Sequence, residues 1–421
     1  MLLIALIALL VTIQTSMAPA GTQTTCEFHP ASGRLIIDPN VTGFGRIVAI
    51  RRQARDILVN ERSCGATVTN TDAIHMFPFV GRSGGVSLDF EDGLLAPGRT
   101  QEGDGSSEIE ITLEVFRSSV NFKMYMTPDD DTVVSTPAGV DLNGDGDADL
   151  TLGRAVYMQT LALGSGADSL TMISDEDNHW FPFPDFGVEG GNGSDRVAFY
   201  QMNQGEFNGG PGADVARTDT KQRFEGEKGD DTLIGGAGRD VLIGGPGSDE
   251  LRGRAGADVL APGVWDEEPD SYSGGRGHDR FATSQYAPLD PDLMISLDGI
   301  ANDGPRGEHD NVAPDIERVF TGGGNDVLIG SPGGNLLRAG SDDSIDGRGG
   351  GDDLYGDGGD GGDGGDDDLV GGRGIDLLKG GPKQDVFQTA DGQLDRVRGG
   401  PGNDTATDRD AIDRLHQVEA F

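Results

Sequence analysis

Aspartates recur at a fixed interval in a glycine-rich stretch of the sequence, residues 226–261. The stretch consists of four consecutive nonapeptides, GEKGDDTLI, GGAGRDVLI, GGPGSDELR and GRAGADVLA, with no residue inserted or lost. Glycines lead each nonapeptide, an aspartate is sixth and a leucine is eighth. Carboxylates repeated in this way are candidate ligands for a hard divalent cation. The sixth-position residues are Asp231, Asp240, Asp249 and Asp258, and the eighth-position residues are Leu233, Leu242, Leu251 and Leu260.

The spacing predicts which carboxylates come together. Glycine adopts positive φ at little cost, so the first half of each nonapeptide can turn tightly and bring its carbonyls inward. The last residues form a short strand, whose alternation sends the leucine into a core. Because one nonapeptide makes one turn and one strand, two make a full coil, and turns two repeats apart lie over each other. We therefore expect Asp231 to share a site with Asp249, and Asp240 with Asp258.

Calcium is the cation that suits such a site. Turn carbonyls, together with sixth-position carboxylates from two stacked turns, can supply the roughly six to eight hard oxygen ligands that Ca²⁺ takes at about 2.3–2.6 Å. The sequence thus predicts several bound Ca²⁺ ions as the cofactor. The expected carbonyl donors in the regular stretch are Gly236, Gly238, Gly245 and Gly247.

Less regular copies of the nonapeptide extend on both sides of this stretch. Fifteen approximate copies occur between residues 190 and 407, and we predict two repeat blocks, 186–282 and 321–407, separated by an interruption at 283–320. Asn335 stands at one sixth position and should weaken its site, because it removes a formal charge. The further predicted sixth-position ligands are Asp195, Asp214, Asp279, Asp326, Asp343, Asp352, Asp367, Asp376, Asp385 and Asp404.

A different calcium-type pattern lies in VDLNGDGDADLTLG, residues 140–153. Its polar side chains occupy positions 1, 3, 5, 7 and 9 of an EF-hand-type loop, but position 12 is Leu152 rather than a bidentate glutamate. No helical pattern flanks the loop, which disfavours a helix–loop–helix unit. A stand-alone calcium loop and a modified coil of the solenoid both remain open. The predicted ligands of this loop at 141–152 are Asp141, Asn143, Asp145, Asp147 and Asp149.

The composition favours a fold that depends on metal. The 421 residues include 70 glycines and 72 acidic against 32 basic residues, which gives a formal net charge of -40. Without cations this charge should oppose compaction, so we expect much of the stability to come from bound metal. Nucleic acid is not an expected partner, because its phosphates would be repelled.

The N-terminal part of the chain predicts short strands. Alternating β-branched and apolar runs between Cys26 and Met126 are separated by turn-forming residues, and no helical period appears. We predict a β-rich domain over 21–185. A solenoid continuous with the repeats is favoured over a sandwich, because the spacing of the strands is close to the length of a coil. Cys26 and Cys64 form an even pair in an exported chain, which favours one disulfide over two free thiols.

Both ends of the chain carry signals of their own. Residues 1–20 are typical of a cleavable secretory signal peptide, with an apolar run followed by a small-residue cleavage site. The run is shorter than the ~20 apolar residues of a spanning helix, so we expect export and no membrane span in the mature chain. At the other end, Ile412, Leu415 and Val418 have a helix-compatible spacing, and residues 408–421 are expected to cap the solenoid.

Residues 190–407 resemble the repeats of hemolysin-type calcium-binding (RTX) proteins. The segments ILVNERSCGATVTNTDAI, LLAPGRTQEGDGSSEIEITLEV, VDLNGDGDADL and SLDGIANDGPRGEHDNVAPDIERV are similar to secreted actinobacterial calcium-binding proteins. The resemblance implies an all-β fold: a right-handed parallel β-roll, or β-solenoid, preceded by a degenerate β-solenoid-like domain. It also implies Ca²⁺ between stacked turns and an extracellular location. Many RTX proteins use an uncleaved C-terminal export signal, whereas this chain has the features of an N-terminal one.

Catalytic patterns are weak in this sequence. The six histidines are scattered and never form HExxH, which argues against a zinc protease. Gly81–Gly85 satisfies G-x-S-x-G, but a strand pattern follows where a hydrolase elbow needs a helix, so Ser83 is interpreted as part of a glycine turn. The acidic run Asp129–Asp131 is interpreted as solvated.

We therefore expect a secreted, non-enzymatic calcium-binding β-roll protein with a structural, surface or adhesive role. Its candidate partners, besides calcium, are a polysaccharide or a protein of the cell surface or matrix. The alternative is a polysaccharide-active enzyme, of lyase or epimerase type, with its site on the N-terminal solenoid.

Overall fold

Short strands make up the regular structure of the described residues. The computed structural model describes residues 25–38, 47–71, 73–76, 84–95, 109–113, 120–143, 148–152, 156–174, 186–202, 205–283, 291–357 and 364–420. Forty strands and no helix occur among these residues. None of these ranges contains an apolar helix long enough to cross a membrane. The expected signal peptide at 1–20 and Ser83 lie outside them.

The bounds of the strands are as follows. The N-terminal part contains β1 (Thr25–His29), β2 (Arg34–Asp38), β3 (Ile47–Gln53), β4 (Asp56–Val59), β5 (Arg62–Thr67), β6 (Ala73–Met76), β7 (Gly84–Asp89), β8 (Glu110–Leu113), β9 (Val120–Tyr125), β10 (Thr132–Thr136), β11 (Gly139–Asp141), β12 (Leu150–Leu152), β13 (Val156–Ser165) and β14 (Ser169–Ile173). The first repeat block contains β15 (Gly187–Asn192), β16 (Arg196–Tyr200), β17 (Glu206–Pro211), β18 (Val215–Thr218), β19 (Arg223–Lys228), β20 (Thr232–Ile234), β21 (Val241–Ile243), β22 (Glu250–Gly256), β23 (Val259–Ala261), β24 (Ser271–Gly277) and β25 (Arg280–Ala282).

The remaining strands follow the first block. The segment between the blocks contains β26 (Leu293–Ser296), β27 (Gly304–Pro305), β28 (Asn311–Val312) and β29 (Arg318–Phe320). The second block and the C-terminal residues contain β30 (Val327–Ile329), β31 (Leu336–Arg338), β32 (Ser344–Asp346), β33 (Asp353–Tyr355), β34 (Asp368–Val370), β35 (Leu377–Lys379), β36 (Val386–Gln388), β37 (Arg396–Arg398), β38 (Thr405–Asp408), β39 (Arg414–His416) and β40 (Glu419–Ala420).

Consecutive strands of the repeats alternate between two faces. One face, which we call the long face, is a parallel ladder that runs from β7 through β9 and β13, then through the odd-numbered strands from β15 to β39 other than β27. The opposite face is formed by the even-numbered strands from β14 to β24 with β28, and then by β26 with the even-numbered strands from β30 to β40. Two strands per coil is the arrangement of a β-roll, so the all-β solenoid fold predicted from the sequence is confirmed.

The eighth-position leucines form the core of the regular repeats. Leu233 pairs in register with Leu251, and Leu242 with Leu260, and all four are fully buried. In β20 only the central side chain is buried and its neighbours are partly exposed, whereas β23 buries all three of its residues. The leucines form a file along each face, and each buried leucine contributes about 1.5–3 kcal/mol.

Aromatic side chains fill the wider coils before the regular repeats. The rings of Phe186 and Phe199 meet edge to face with centroids 6.4 Å apart, and those of Phe207 and Phe224 do the same at 6.3 Å. All four side chains are fully buried. In these coils Phe207 and Phe224 take the buried strand position that leucine takes in the regular repeats.

Antiparallel strands and a disulfide close the N-terminal end. β1 pairs with β2, and β3, β4 and β5 form a meander, all antiparallel. Cys26 of β1 and Cys64 of β5 are joined by a disulfide with Cα atoms 5.8 Å apart. These strands are the edges of the two faces, so the disulfide ties one face to the other where the ladder stops. A link across a loop of this length stabilises by about 3–4 kcal/mol.

The segment at 283–320 lets the long face continue without a break. β29 pairs with β25 before it and with β31 after it. On the opposite face, by contrast, β28 ends one sheet and β26 begins the next. The ladder of the first repeat block therefore continues into that of the second. The predicted bounds of the two blocks and of the interruption between them stay predictions.

The helix-compatible spacing near the C-terminus does not produce a helix, and the capping role of residues 408–421 stays a prediction. Residues 414–416 form β39, and Leu415 pairs with Val397 as a further coil of the long face. The backbone N–H of Arg414 donates to the carbonyl of Asp395, at 2.9 Å. Hydrogen bonds to an existing ladder outweigh the intrinsic preference of so short a segment, because an isolated helix of a few residues is unstable in water.

Candidate metal centre

Buried aspartates stack directly over one another along the solenoid. The backbone N–H of Asp231 donates to Oδ1 of Asp249, and that of Asp240 donates to Oδ1 of Asp258, each at 2.8 Å. Each aspartate directly precedes a short strand, so the parallel register of the strands fixes its position. The predicted stacking of turns two repeats apart is thus confirmed.

The same hydrogen bond links the acidic residues into three columns. The first column consists of Asp131, Asp168, Asp195, Asp214, Asp231, Asp249, Asp270 and Asp310. The second column lies beside the long face and consists of Asp240, Asp258, Asp279 and Glu317, followed by Asn335, Asp352, Asp376, Asp395 and Asp413. The third column consists of Asp326, Asp343, Asp367, Asp385 and Asp404. All the predicted sixth-position residues belong to one of the columns.

The second carboxylate oxygen of most column residues has no donor. These Oδ2 atoms are buried and lack a hydrogen-bond partner within the described residues, although Oδ1 of the same residues accepts a backbone bond. A buried ionised oxygen without a partner is costly unless a cation or a proton neutralises it. The unpartnered Oδ2 atoms belong to Asp168, Asp195, Asp214, Asp231, Asp249, Asp258, Asp279, Asp310, Asp352, Asp367, Asp376, Asp385, Asp395 and Asp404.

Glycine leaves open the space that these oxygens face. A Cβ atom on Gly253 would lie 2.5 Å from Oδ2 of Asp258 and 2.7 Å from the carbonyl oxygen of Gly274 in the next coil. A Cβ on Gly235 would lie 2.6 Å from both Oδ2 of Asp240 and the carbonyl oxygen of Gly253. A carboxylate and a carbonyl from successive coils therefore converge where no side chain fits.

This donor set fits Ca²⁺. The converging atoms are hard carboxylate and carbonyl oxygens, which calcium prefers. Within the described ranges, no three His, Cys, Asp or Glu side chains form a metal-holding group, so backbone carbonyls would have to complete the coordination. The nonapeptide pattern predicts this combination, in which each turn supplies one carboxylate and backbone carbonyls supply the other ligands.

The glycine carbonyls differ from one another in role. The carbonyl of Gly238 approaches the site of Asp258, because a Cβ on Gly256 would meet both Gly238 O and Oδ1 of Asp258. The carbonyl of Gly236 instead accepts a hydrogen bond from the N–H of Ala255, at 3.1 Å. Gly245 and Gly247 have φ of +127° and +136°, which allows the tight turn over the preceding coil. The carbonyls of Gly253 and Gly274, first-position glycines that the sequence did not single out, border the same open spaces as Oδ2 of Asp240 and of Asp258, respectively.

Burial shifts the acid–base behaviour of the columns. Desolvation raises the pKa of Asp231 to about 7 and that of Asp249 to about 8, against an ordinary value of 3.8. The stacked carboxylates raise each other's pKa further, while the backbone hydrogen bond to each carboxylate lowers it. Without a cation, these pKa values leave part of the column protonated near neutral pH.

Several column members, including Asp240, Asn335 and Asp343, accept a hydrogen bond from their own repeat. Oδ2 of Asp240 accepts from the N–H of Gly236, at 2.8 Å. Oδ1 of Asn335 accepts from the N–H of Ser331 at 2.7 Å and from its hydroxyl at 3.2 Å. The amide thus keeps the stacking without the charge, in line with the weaker site expected at that position.

The EF-hand-type pattern at 141–152 forms a connection between antiparallel strands. β11 pairs with β12, and the loop joins them without flanking helices. Oδ2 of Asp149 accepts from the N–H of Leu142 at 2.6 Å, and Oδ1 of Asp141 accepts from the N–H of Asn143 at 3.2 Å. Asp145 and Asp147 lie outside the described residues, so calcium binding by this loop stays a prediction.

Sequence reasoning missed several column members. Asp131 was expected to be solvated, and this interpretation is wrong: it is 7% exposed, and its carboxylate accepts from the N–H and hydroxyl of Thr127. Asp168 belongs to the degenerate repeat GSGADSL (164–170), while the other missed residues lack the full glycine turn. All of them share an acid–x–apolar unit, with tyrosine as the third residue in the unit of Asp270, in which the third side chain enters a strand. That unit would have identified Asp131, Asp168, Asp270, Asp310, Glu317, Asp395 and Asp413.

Replacing one column aspartate should weaken the response to calcium. In Asp231→Asn the Oδ1 acceptor is kept and the charge is lost, so we expect the calcium concentration at half-maximal folding to rise by about fivefold. Asp230→Asn removes the same charge from the exposed neighbour and should change that concentration less than about twofold. A calcium titration followed by circular dichroism measures both. Equal shifts in the two variants would contradict a role of the column.

Comparison with known families agrees with the repeat geometry. The model of the RTX calcium-binding nonapeptide repeat (4 copies) matches residues 225–260, 314–343, 361–393 and 389–410. The first match coincides with the regular stretch, and the others lie towards the C-terminus. No curated protein matches the chain significantly.

Proposed function

We propose that this chain is a secreted β-roll protein that folds or stiffens on binding calcium. Its RTX calcium-binding nonapeptide repeats bind several Ca²⁺ ions. The single observation that carries the proposal is the file of buried, unpartnered Oδ2 atoms in the columns. Secretion is proposed from the signal-like residues 1–20. The proposed ligands are the column carboxylates and the glycine carbonyls of successive coils.

A surface or matrix role is supported by a row of side chains that we call the cationic row. Arg338, Tyr355, Lys379, Arg398 and His416 occupy matching positions on successive strands of the long face. The ammonium of Lys379 lies 4.3 Å from the ring centroid of Tyr355. Each side chain in the row is exposed or half-buried. Such a concentration of cations is unusual for a chain of net charge -40.

The chemistry of the cationic row suits an acidic polysaccharide. Strands in a ladder lie about 4.7–4.9 Å apart, so Arg338, Lys379 and Arg398 lie in one line along the solenoid axis, with Tyr355 between the first two. Arg398 and the neighbouring Arg396 and Arg414 line a shallow groove at the end of the row. A polymer of uronate residues could lie along it, held by charge and by contact with Tyr355. The proposed role is therefore calcium-dependent adhesion to an acidic matrix.

A non-catalytic role is part of this proposal. Among the described residues, the carboxyl groups with raised pKa lie in the columns, in the segment 303–310, or at Asp357. In the described N-terminal coils, the buried carboxylates Asp141 and Asp149 belong to the proposed calcium loop and Asp131 and Asp168 to the first column, so we assign them to calcium rather than to catalysis. Calcium sites account for the buried charges found there.

Reversing charges in the cationic row should abolish binding to a polyuronate. Arg338→Glu, Lys379→Glu and Arg398→Glu in one variant should lower the fraction of protein that co-sediments with calcium-crosslinked alginate by at least about tenfold. Lys228→Glu, Arg239→Glu and Arg373→Glu make the same charge change at exposed sites elsewhere and should have little effect. The polymer should keep its length, measured by viscosity. Equal loss in both variants would contradict the row as a binding surface, and shortening of the polymer would support the enzyme alternative.

A further inference from the structure

The segment at residues 303–310 holds a buried glutamate outside the nonapeptide pattern. Glu308 is 7% exposed, and both of its carboxylate oxygens are buried without a hydrogen-bond partner. Asp310 is 1% exposed, and its Oδ2 is likewise unpartnered. No ion pair among the described residues involves either side chain. Two buried acids without a counter-charge require a neutralising partner.

The free oxygens of these two residues face one point. A Cβ on Gly304 would lie 2.7 Å from Oε2 of Glu308 and 2.9 Å from Oδ2 of Asp310. Gly304 has φ of +94°, a conformation that favours glycine, so this space is kept open by the backbone as well as by the missing side chain. In the columns, a carboxylate oxygen and a glycine carbonyl oxygen border a space that glycine keeps open. Here two side-chain carboxylates border such a space.

The surrounding segment holds both carboxylates in place. Backbone N–H groups of Asp303 and Asp310 donate to each other's carbonyls, at 3.0 and 3.2 Å. The carboxylate of Asp303 accepts from the N–H groups of Ser296 and Val312, at 2.6 and 2.7 Å. Oδ1 of Asp310 accepts from the N–H of Asp270 at 2.8 Å, which leaves only Oδ2 to face Glu308. The pair is therefore fixed by bonds that do not use the free oxygens.

We propose that Glu308 and Asp310 bind one divalent cation of the calcium class outside the nonapeptide repeats. The ion lies at the end of the first column, where β28 ends one sheet of the opposite face and β26 begins the next. It holds the segment to the last coil of the first block. The inference rests on the proposed function only for the identity of the ion.

Counting ions on the full chain tests the proposal. Native mass spectrometry at saturating calcium should find one ion fewer on Glu308→Gln than on the wild-type chain. Glu267→Gln removes the same charge from an exposed residue nearby and should keep the wild-type count. Glutamine keeps an acceptor oxygen for the weak interaction of Glu308 with the backbone of Asp266, so circular dichroism of Glu308→Gln with calcium should equal that of the wild type.

Gly304→Ala is a second variant that fills the space between the carboxylates, and it should lose the same single ion. If Glu308→Gln fails to fold, the ion count of Gly304→Ala tests the proposal instead. Unchanged counts in both variants would overturn the proposal, and so would the loss of several ions in a folded variant. A wild-type chain that binds no calcium would instead refute the proposed function.

Discussion

Chelating calcium near neutral pH is expected to remove most of the β-structure of the full chain. The columns bury carboxylates whose Oδ2 atoms have no donor, as at Asp249 and Asp376, and the chain carries a formal charge of -40. A ligand at a hundred times its dissociation constant stabilises by about 2.7 kcal/mol per site. Because a typical domain is stable by only about 5–15 kcal/mol, the filling of a few sites is comparable to the whole stability.

Circular dichroism in chelator and in millimolar CaCl2 measures this effect. The matched control is MgCl2 at the same concentration, which should restore little structure, because Mg²⁺ demands octahedral geometry at about 2.0–2.1 Å and gives up its waters reluctantly. The disulfide between Cys26 and Cys64 should keep only the N-terminal strands together in the chelated chain. Identical spectra with chelator and with calcium would refute calcium-dependent folding.

Acidification is expected to restore structure to the calcium-free chain. Burial raises the pKa of Asp231 to about 7, of Asp352 to about 7 and of Asp367 to about 8, above the ordinary value of 3.8. An acid with a raised pKa makes the folded state bind more protons than the unfolded one, so the free energy of unfolding falls as pH rises from about 4 to about 8. A shift of three units corresponds to about 4 kcal/mol for one group.

With calcium the pH dependence should have the opposite sign. Protons compete with calcium for the same oxygens, so the stability that calcium gives is lost as pH falls through the raised pKa values. Thermal unfolding at about pH 5 and pH 7.5, in chelator and in calcium, should therefore give curves that cross. Repeating the chelator series in high salt separates the buried carboxylates from general repulsion, because salt screens exposed charges far more than buried ones. A chelated chain that is more stable at neutral than at acidic pH would contradict the prediction.

The regular repeats show how far local sequence determines structure. The interval between Asp231 and Asp249 and the eighth-position leucines were sufficient to predict the coil and the stacking of turns, and the ligands themselves stay a prediction. The reason is that each nonapeptide contains its own turn and strand. Glycine permits the turn, alternation directs the leucine inward, and an unbroken period leaves one register.

Other features depended on partners distant in the sequence. Asp131 belongs to a column only because Asp168, 37 residues later, accepts its backbone hydrogen bond. Leu415 lies in a strand because the ladder at Val397 supplies the bonds that a short helix would have to make alone. The pairing of Glu308 with Asp310 likewise requires the backbone of 303–310 to fold against the last coil of the first block.

The sequence by itself therefore determined the elements whose geometry is complete within one nonapeptide. The tertiary structure decided where irregular segments join the stack. An acidic residue without a glycine turn becomes a column member only when a neighbouring coil offers it a backbone N–H and removes it from water. That depends on the register of the parallel ladder, which is set by hydrogen bonds between residues far apart in the chain.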